Sequence, residues 1–305
     1  MIDVAVPLPA ADRRSAFANA PMGIALTTPS GVLVDANPAL CVMLGRTEDE
    51  LHGRSVLDQI HPEAASAARD AHASWIADPA RPMRHETRLL RADGHDVPVQ
   101  VTASWVAEDP DGLAAHLVMI VEDITDRKLL EAQLVHRSLH DPLTGLPNRL
   151  LFQDRLWHAL ERGRRENTPT CVLITDLDGF KAINDELGHP TGDLVLVTFA
   201  ERLRSVLRAS DTAARLGGDE FSIVCENTEP ADAHVLAERL RASVTEPLDL
   251  SGTTVSVGLS IGVGSVAGGV HPGDVYERVV READDAMYAD KARRRRTSRG
   301  APAQN

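Results

Sequence analysis

Apolar residues are spaced differently in the two halves of this chain, which predicts two structural parts. In the first half, short apolar runs are separated by turns rich in Gly, Pro and Asp, the pattern of antiparallel strands. Strands are predicted at residues 24–27, 32–35, 84–90, 97–105 and 115–121, the last of them after a turn at 109–112. The alanine-rich residues 63–76 predict a helix, Asn37 and Pro38 open a shorter one, and Thr47 with Glu50 matches a capping box. We expect an antiparallel sheet with flanking helices.

A helix is predicted between the two halves, because residues 124–140 contain neither Gly nor Pro. Leu130 and Leu134 stand four residues apart, as do Val135 and Leu139, so the helix carries a narrow apolar stripe. The stripe could pair with a second copy in a parallel coiled coil, or it could pack on its own domain. Its position between two differently patterned parts favours a signalling helix.

Helical and strand-like spacings alternate in the second half. Phe152, Leu156 and Leu160 share one face of a helix that Asn148 would cap, and the apolar residues 171–174 predict a central strand. The further predicted elements are a helix bearing Leu196, Phe199, Ala200, Leu203 and Leu207, strands at 213–216 and 221–225, a helix at 231–244, a strand at 255–263 and a helix at 275–293. This order predicts a βαββαβ core.

A glycine pattern at residues 262–267 fits a dinucleotide-binding fingerprint but lacks the context of one. That fingerprint has to open a helix, whereas Gly268, Gly269 and Pro272 follow here. We therefore predict a loop at these residues and no dinucleotide site.

Composition narrows the range of functions. The chain has 305 residues, enough for two ordinary domains, and its formal net charge of −13 argues against nucleic-acid binding, which needs a broad basic surface. Cys41, Cys171 and Cys225 are far apart, so free thiols in a reducing compartment are expected rather than a disulfide or a zinc site. Neither a signal peptide nor a membrane-spanning apolar run is evident, so we expect a cytoplasmic protein without membrane contact.

Candidate chemistry concentrates at Gly217, Gly218, Asp219 and Glu220, the predicted tip of a hairpin. Glycine lets a ligand approach the backbone, and carboxylates are ligands for Mg²⁺. In isolation, such a stretch is more often an ordinary hairpin with solvated acids. Here Asp176 ends the central strand, so two strands could place carboxylates around one metal ion, the arrangement that phosphoryl transfer uses.

Four segments resemble GGDEF-domain diguanylate cyclases in order and spacing: residues 140–149, 176–193, 215–221 and 256–263. In the first half, the segments that resemble a PAS sensory domain are residues 17–24, 31–38 and 121–128. The resemblance implies an α+β chain with an N-terminal PAS fold, a helical linker and a C-terminal GGDEF domain with a palm-like core. The implied boundaries are a flexible N-terminus at 1–13, the PAS domain at 14–125, the signalling helix at 126–139, the GGDEF domain at 140–298 and a tail at 299–305.

The resemblance also implies a site for GTP and for Mg²⁺ or Mn²⁺. Asp176, Asp219 and the Leu177 backbone carbonyl would bind the metal. Asp219 or Glu220 would help to deprotonate the attacking 3′-hydroxyl, and the sequence leaves open which of them does so. The guanine edge would bond to Asn184 and Asp193, a pairing that excludes adenine. The other implied nucleotide contacts are Phe180, Lys181 toward the phosphates, His189 (for which a packing or capping role is equally open), Gly217, Gly218, Lys291 and Arg295.

The last predicted helix departs from the family pattern. Asp290, Arg294 and Arg296 stand where the family usually has Ala, Gly and Asn, whereas the cations Lys291 and Arg295 are retained. We expect Arg293, Arg294 and Arg296 to be solvated at a helix C-terminus, where positive charge is favourable.

A second set of residues matches the inhibitory site at which the family binds its product, cyclic di-GMP. Arg208 and Asp211 form its RxxD motif, and Arg239 would add a further contact. A guanidinium suits this ligand because it can bond phosphate oxygens bidentately and stack on a guanine. An Arg and an Asp three residues apart are often only an ion pair, but their offset from Gly217 favours the site.

These features predict a homodimeric diguanylate cyclase in which two facing domains each hold one GTP. One alternative is a catalytically inactive GGDEF module that senses cyclic di-GMP or GTP. Another is a PAS dimerisation scaffold, which leaves the intact motifs unexplained. The PAS ligand is unknown: Cys41 lacks the sequence context of a photoactive flavin cysteine, and His72 is a candidate haem ligand, although a surface His is the more common case.

Overall fold

The computed structural model describes residues 10–77, 83–107, 115–245, 247–250 and 253–299. The chain divides into two compact units, Met1–Gln133 and Leu134–Asn305. The turn predicted at 109–112 lies outside the described residues, as do residues 1–9 of the predicted N-terminal segment and 300–305 of the tail. Within the described ranges, no helix combines the length and the apolar character needed to cross a membrane.

The first unit is built on an antiparallel sheet with helices beside it. Its elements are α1 (Ala10–Ala18), β1 (Gly23–Thr27), β2 (Leu33–Ala36), α2 (Pro38–Leu44), α3 (Glu48–Leu51), short 3-10 helices at Val56–Gln59 and Pro62–Ala64, α4 (Ala65–Ala77), β3 (Met83–Leu90), β4 (Asp96–Val106) and β5 (His116–Asp123), followed by the linker helix α5 (Thr125–Leu139). The described strands pair in the order β2-β1-β5-β4-β3, antiparallel throughout. The predicted antiparallel sheet with flanking helices is therefore confirmed.

Asn37 determines how the chain passes from β2 into α2. Its Oδ1 caps the helix by accepting the Leu40 N–H at 3.0 Å, and the same atom accepts the Ile24 N–H at 2.8 Å. Its amide nitrogen donates to the carbonyls of Phe17 and Met22. Because both ends of this buried amide are used, one side chain fixes the start of α2 against β1.

The core of the first unit follows the strand period of two. Val97, Val99 and Val101 alternate along β4 and are buried. They pack with Leu40 and Leu44 of α2 in one apolar cluster. The alternation in the sequence thus marks the inner face of the sheet.

The second unit surrounds a second antiparallel sheet. Its elements are α6 (Arg149–Glu166), β6 (Thr170–Asp178), α7 (Phe180–Leu187), α8 (His189–Val206), β7 (Thr212–Gly217), β8 (Glu220–Glu226), α9 (Pro230–Thr245), β9 (Leu248–Leu250), β10 (Thr253–Val255), β11 (Gly258–Val266) and α10 (Pro272–Arg299). The main sheet has the order β11-β6-β8-β7, with antiparallel pairing at each step. This confirms the predicted βαββαβ core, with β9 and β10 as an added hairpin.

Strand β6 is the centre of this unit, since residues 170–177 are all buried. Leu173 and Leu177 on one face pack with Phe199 of α8. Val172 and Ile174 on the other face join a cluster with residues of α6 and α10. Even-numbered residues of β6 therefore face α6 and α10, which decides the environment of Asp176.

The loop predicted at residues 262–267 is wrong, because β11 runs from Gly258 to Val266. A Cβ on Gly262 would lie 2.0 Å from the Ala283 carbonyl oxygen, and one on Gly264 would lie 2.2 Å from that of Val279. These glycines let the α10 backbone pack directly on the strand. The strand predicted at 255–263 is accordingly shifted, since β10 already ends at Val255.

Candidate active site

Asp176 lies near the C-terminal end of β6, directly opposite Glu220 of β8. Directly opposed residues of antiparallel strands point to the same face, so both carboxylates are on the side of α6 and α10. Asp176 is 6% exposed, whereas Glu220 is partly exposed and has an Arg149 nitrogen 3.9 Å from its Oε2. The sequence prediction that two strands bring carboxylates together is met at this position.

The turn between β7 and β8 is open on its outer side. Gly217 and Gly218 have φ angles of +141° and +55°, in the region that favours glycine. A Cβ built on either residue would meet no described atom within 4 Å. A ligand can therefore approach the backbone at this turn without displacing protein.

Arg215 fixes the turn between β7 and β8 by hydrogen bonds. Its Nε and one terminal nitrogen donate to the Gly218 carbonyl at 3.0 and 2.8 Å, and its other terminal nitrogen donates to Asp141 Oδ1 at 2.9 Å. The same oxygen accepts the backbone N–H and the hydroxyl of Thr144. Asp141, Thr144 and Arg215 lie within the segments 140–149 and 215–221 that resemble the family, but no local pattern assigned them a role. Their role needed the fold, since Asp141 and Arg215 are 74 residues apart.

Asp219 carries a perturbed carboxyl. Burial and the neighbouring charge of Asp176 raise its pKa, although Lys291 and Arg215 act in the opposite direction. Its backbone carbonyl accepts the Leu177 N–H at 3.3 Å, which joins the turn to the end of β6. The charge of Asp176 beside a partly buried Asp219 gives the site an excess of negative charge.

Lys291 of α10 supplies a positive charge to this site. Its Nζ lies 2.6 Å from Asp176 Oδ1, and both side chains are largely buried. The structure therefore brings Lys291 to Asp176, whereas the family resemblance implied a nucleotide contact for it. Arg295, one turn further along α10, is exposed.

The donor set fits a magnesium ion in its chemistry. Mg²⁺ prefers oxygen ligands and is commonly held by one or two carboxylates, with water and substrate phosphate completing its coordination. Asp176 and Asp219, with the Leu177 carbonyl, offer such oxygens, and the raised pKa of Asp219 reflects charge that a cation would neutralise. Within the described part of the chain, no group of three or more His, Cys, Asp or Glu side chains forms a metal cluster.

The candidate guanine contacts come together between α7 and α8. Asn184 packs against Gly192, where a Cβ would lie 1.9 Å from the Asn184 Oδ1, and Asp193 is the next residue of the chain after Gly192. The Phe180 ring, 9% exposed, closes the base of the same junction. Lys181, His189 and Asp193 are exposed to solvent, and His189 begins α8.

Asp290 forms a network that the sequence analysis did not anticipate. Its carboxylate is 5% exposed and accepts the Ile261 N–H of β11 and a guanidinium N–H of Arg241 from α9. Arg293 and Arg294 also bond it, so the expectation that these two are only solvated at the helix end is wrong. Burial alone would raise the pKa of Asp290, but the Ile261 N–H and the guanidinium groups outweigh it and lower that pKa. The sequence signal was the departure from the family's usual alanine.

The candidate product site lies at the far end of α8 from Asp193. That helix has 18 residues and is therefore about 27 Å long. Beyond its end, the Arg208 N–H donates to Asp211 Oδ2 at 3.0 Å, while Asp211 Oδ1 is buried without a hydrogen-bond partner among the described residues. Arg239 of α9 donates to the Val206 carbonyl at 3.2 Å. A surface cleft lined by Arg208 and Asp211 also includes Arg155 and Arg204.

Family models match both units. The model described as "Diguanylate cyclase, GGDEF domain" matches residues 138–297, and one described as "PAS domain" matches residues 21–126. The first of these covers more than half of the chain.

Among similar proteins, the bifunctional diguanylate cyclase/cyclic di-GMP phosphodiesterase MucR of Pseudomonas aeruginosa is 47% identical over 161 residues, which cover 52% of this chain and 23% of MucR. An uncharacterized signaling protein of Caulobacter vibrioides is 35% identical over 292 residues, 92% of this chain and 34% of that protein. The chain thus spans about a quarter and about a third of the length of these two relatives, 23% and 34%. A crystal structure of the coiled coil and GGDEF domain of DgcB from Caulobacter crescentus, in complex with c-di-GMP, is 30% identical and covers 54% of this chain and 86% of its own, with a TM-score of 0.49.

Proposed function

The chain belongs to the GGDEF diguanylate cyclase family and carries a PAS domain ahead of its GGDEF domain, and from this premise we propose that it condenses two GTP molecules into cyclic di-GMP and two pyrophosphates. The observation that carries the proposal is the half-buried carboxylate pair Asp176 and Asp219, beside the open Gly217-Gly218 turn. An ordinary hairpin with solvated acids would leave the carboxyl pKa near its usual value.

The reaction forms two phosphodiester bonds. In each, the 3′-hydroxyl oxygen of one GTP attacks the α-phosphorus of the other, the bond to the β-phosphate oxygen breaks, and pyrophosphate leaves. The hydroxyl proton passes to Asp219 or Glu220, or from there to water. The raised pKa of Asp219 makes its ionised form a better proton acceptor than an ordinary carboxylate.

A divalent metal, Mg²⁺ or Mn²⁺, would supply electrostatic stabilisation of the phosphates when bound. In this proposal Asp176, Asp219 and the Leu177 carbonyl hold it, and Lys291 moves from Asp176 toward the substrate phosphates. Arg295 and Lys181 are exposed near the ends of their helices and add positive charge for the same group.

The remaining proposed contacts determine which base is accepted. Asn184 and Asp193 meet at the α7–α8 junction and bond the guanine edge, with Phe180 beneath and His189 at the start of α8. An amide and a carboxylate match the acceptor and donor edge of guanine, so adenine would leave them unpaired.

Turnover requires two copies of the chain, since each GGDEF domain holds one GTP in this proposal. The linker helix α5 supports pairing: Leu129, Leu130, Leu134 and Val135 are each more than half exposed. A second copy would cover this stripe in a coiled coil. We propose a homodimer, regulated by the PAS domain. Because GTP is a cytoplasmic nucleotide, the proposal places the reaction in the cytoplasm.

Arg208, Asp211 and Arg239 form the proposed inhibitory product site. The buried, unpartnered Asp211 Oδ1 and the added charge of Arg155 and Arg204 in the same cleft support a ligand with phosphate oxygens and N–H donors. About 20 Å of α8 separates the end of the helix beside this cleft from Asp193, so product bound there need not displace GTP. We also propose the boundaries given by the sequence, with the PAS domain at 14–125, the helix at 126–139 and the GGDEF domain at 140–298.

Incubation of the purified chain with GTP and Mg²⁺, followed by chromatography of the products, tests the proposal. Cyclic di-GMP and pyrophosphate are expected from the wild type and from Asp185→Asn, a control that changes an exposed acid of α7. Asp176→Asn should be inactive, because one charged ligand of the metal is lost. If the wild type binds GTP and leaves it intact at every protein concentration, the chain is instead a non-catalytic sensor module.

A further inference from the structure

Two histidines lie one helical turn apart at the end of the linker helix α5. His136 and His140 are four residues apart, and no other two histidines of the chain are as close in sequence. His140 follows the last helical residue, and its backbone N–H still bonds the His136 carbonyl at 3.0 Å, as in a helix. The two imidazole rings stack, with 4.0 Å between their centroids and 20° between their planes. Both residues belong to the second unit.

A hydrogen bond fixes the orientation of the His140 ring. Its Nδ1 lies 3.0 Å from the backbone carbonyl oxygen of His136. Since a carbonyl oxygen can only accept, Nδ1 carries the proton, and in the neutral ring Nε2 keeps its lone pair. Metal-binding histidines have the same arrangement, because they commonly donate one ring N–H to a carbonyl or carboxylate and bind the metal through the other nitrogen. His140 is therefore oriented as a metal ligand.

The His136 ring can reach the same ligand. It is exposed, and neither of its nitrogens bonds another residue in the described part of the chain. A tetrahedral metal ion bound to both rings at about 2.0–2.1 Å needs their nitrogens about 3.4 Å apart. Rings that stack at 4.0 Å reach this spacing through a small rotation about a side-chain bond. The pair is thus close to the geometry of a two-histidine chelate.

The surroundings of the pair determine which class of metal it can take. His140 lines a surface cleft together with Arg137, Arg149 and Arg215. Asp141 is the one acid among the described residues of that lining, and it is paired with Arg215 at 2.9 Å. Hard cations such as Mg²⁺ prefer oxygen ligands, which this cleft does not offer in free form. Imidazole nitrogens suit Zn²⁺, Cu²⁺ and Ni²⁺.

We propose that His136 and His140 bind a divalent transition-metal ion such as Zn²⁺, with water completing its coordination. The ion bridges the last turn of α5 and the residue that follows the helix. His140 directly precedes Asp141, which accepts a hydrogen bond from Arg215. A metal on this pair therefore holds the chain at the point where it enters the candidate active site.

Calorimetric titration of the full, chelator-treated chain with ZnCl₂ tests the proposal, with excess Mg²⁺ in the buffer to occupy carboxylate sites. The wild type should bind Zn²⁺ at least about tenfold more tightly than His136→Ala or His140→Ala, because two rings one turn apart act as a chelate. His158→Ala is the control. His158 is exposed and lies 3.5 Å from Asp154, four residues earlier on α6, so this variant removes an imidazole beside a carboxylate and should bind Zn²⁺ as the wild type does.

Thermal unfolding separates metal binding from a role in folding. Because His136 is exposed, His136→Ala should unfold at the wild-type temperature in the absence of metal. Added Zn²⁺ should then raise the unfolding temperature of the wild type and of His158→Ala by more than that of His136→Ala.

Equal Zn²⁺ affinity of the wild type and His136→Ala, or no Zn²⁺ binding by the wild type, would overturn the proposal. A loss of affinity in His158→Ala as large as that in His136→Ala would overturn it as well, since the metal would then not depend on this pair in particular. Both measurements are independent of cyclic di-GMP synthesis, so a failure here leaves the proposed function untouched.

Discussion

Single carboxyl groups carry the proposed chemistry, and the fold has altered the titration of Asp219 in particular. Burial and the charge of Asp176 raise its pKa. The folded chain therefore holds this proton more tightly than the unfolded chain does, and ionisation of Asp219 lowers the stability of the fold as the pH rises. In metal-free protein at neutral pH, the ionised Asp219 carboxylate opposes folding and favours the binding of a cation.

We expect Asp219→Asn to unfold at a higher temperature than the wild type in metal-free buffer at about pH 7, because the variant removes the carboxylate that faces Asp176. The difference should shrink as the pH falls through the raised pKa of Asp219, where the wild-type carboxyl becomes protonated. Added Mg²⁺ should raise the unfolding temperature of the wild type only. Thermal unfolding with and without Mg²⁺ at neutral and acid pH measures this.

Asp185→Asn controls for the loss of an exposed carboxylate in that series. A metal-free Asp219→Asn variant that is less stable than the wild type at neutral pH would contradict the repulsion between Asp176 and Asp219.

Asp290 is the opposite case, a buried carboxyl whose pKa is lowered by its partners. Ionised Asp290 therefore stabilises the fold at neutral pH, and this contribution is lost as the pH falls through the lowered pKa of Asp290. We expect Asp290→Asn to lower the free energy of unfolding by about 1.5–3 kcal/mol at neutral pH, since the Ile261 N–H and the Arg241 guanidinium lose a charged acceptor. Denaturant unfolding measures the difference, which should vanish in acid.

The exposed Asp285 of the same helix provides the matched control. We expect Asp285→Asn to leave the free energy of unfolding nearly unchanged. The Asp290→Asn variant should also raise the KM for GTP, because Asp290 fixes the turn of α10 that carries Lys291. An unchanged KM would show that Lys291 is positioned without Asp290.

At the scale of elements, the contact between β11 and α10 positions Lys291, whose ammonium group lies in the site. Gly262 and Gly264 bring the helix backbone against the strand, and Lys291 reaches Asp176 from that helix. The distance between the two elements is therefore set by the absence of two side chains, and it determines whether the ammonium group reaches the carboxylate.

Gly262→Ala tests this packing, since its Cβ would lie within 2.2 Å of two backbone atoms of α10. We expect a loss of at least about 2 kcal/mol in the free energy of unfolding, because neither backbone can move aside easily. Gly273→Ala, where the nearest atom is a His271 ring atom at 3.3 Å, should be tolerated. Denaturant unfolding of both variants measures the difference. If Gly262→Ala were as stable as Gly273→Ala, the close contact between β11 and α10 would be contradicted.

At the scale of the whole molecule, the proposed reaction needs two chains. If an inactive Asp176→Asn chain is mixed with an equal amount of wild type and allowed to exchange, about a quarter of the dimers contain two active chains. We expect cyclic di-GMP synthesis to fall to about that fraction rather than to half. Product chromatography after mixing measures it, and a fall to half would favour chains that act singly.

Product inhibition is also a property of the assembled molecule, since bound product would shift the population of dimer arrangements. Arg208→Ala removes a bidentate phosphate contact, so progress curves should continue to a higher product level before they stall, with little change in the starting rate. Arg165→Ala, at the exposed end of α6, is the control. Equal inhibition of wild type and Arg208→Ala would reduce Arg208 and Asp211 to a local turn in which the Arg208 N–H bonds the Asp211 carboxylate.

The sequence by itself determined most of the elements and their order, because these depend on local patterns; the β9–β10 hairpin and the extent of β11 were not among them. Alternation along β4 and the apolar run of β6 predicted strands, and Asn148 predicted a helix start that the structure confirms. The candidate metal carboxylates were also found from sequence, since strand ends and turns are local features. The family resemblance supplied the roles that spacing alone left open.

Tertiary structure alone decided which distant residues meet. Lys291 and Asp176 are 115 residues apart, and no local pattern links Asp290 to Arg241, 49 residues away. The glycines of β11 show the physical reason: a missing Cβ permits either a turn or close packing of a second backbone, and only the partner helix distinguishes the two. The regular spacing of apolar residues indicates which face of a helix or strand is buried. The atoms that this face contacts depend on the packing of the whole unit.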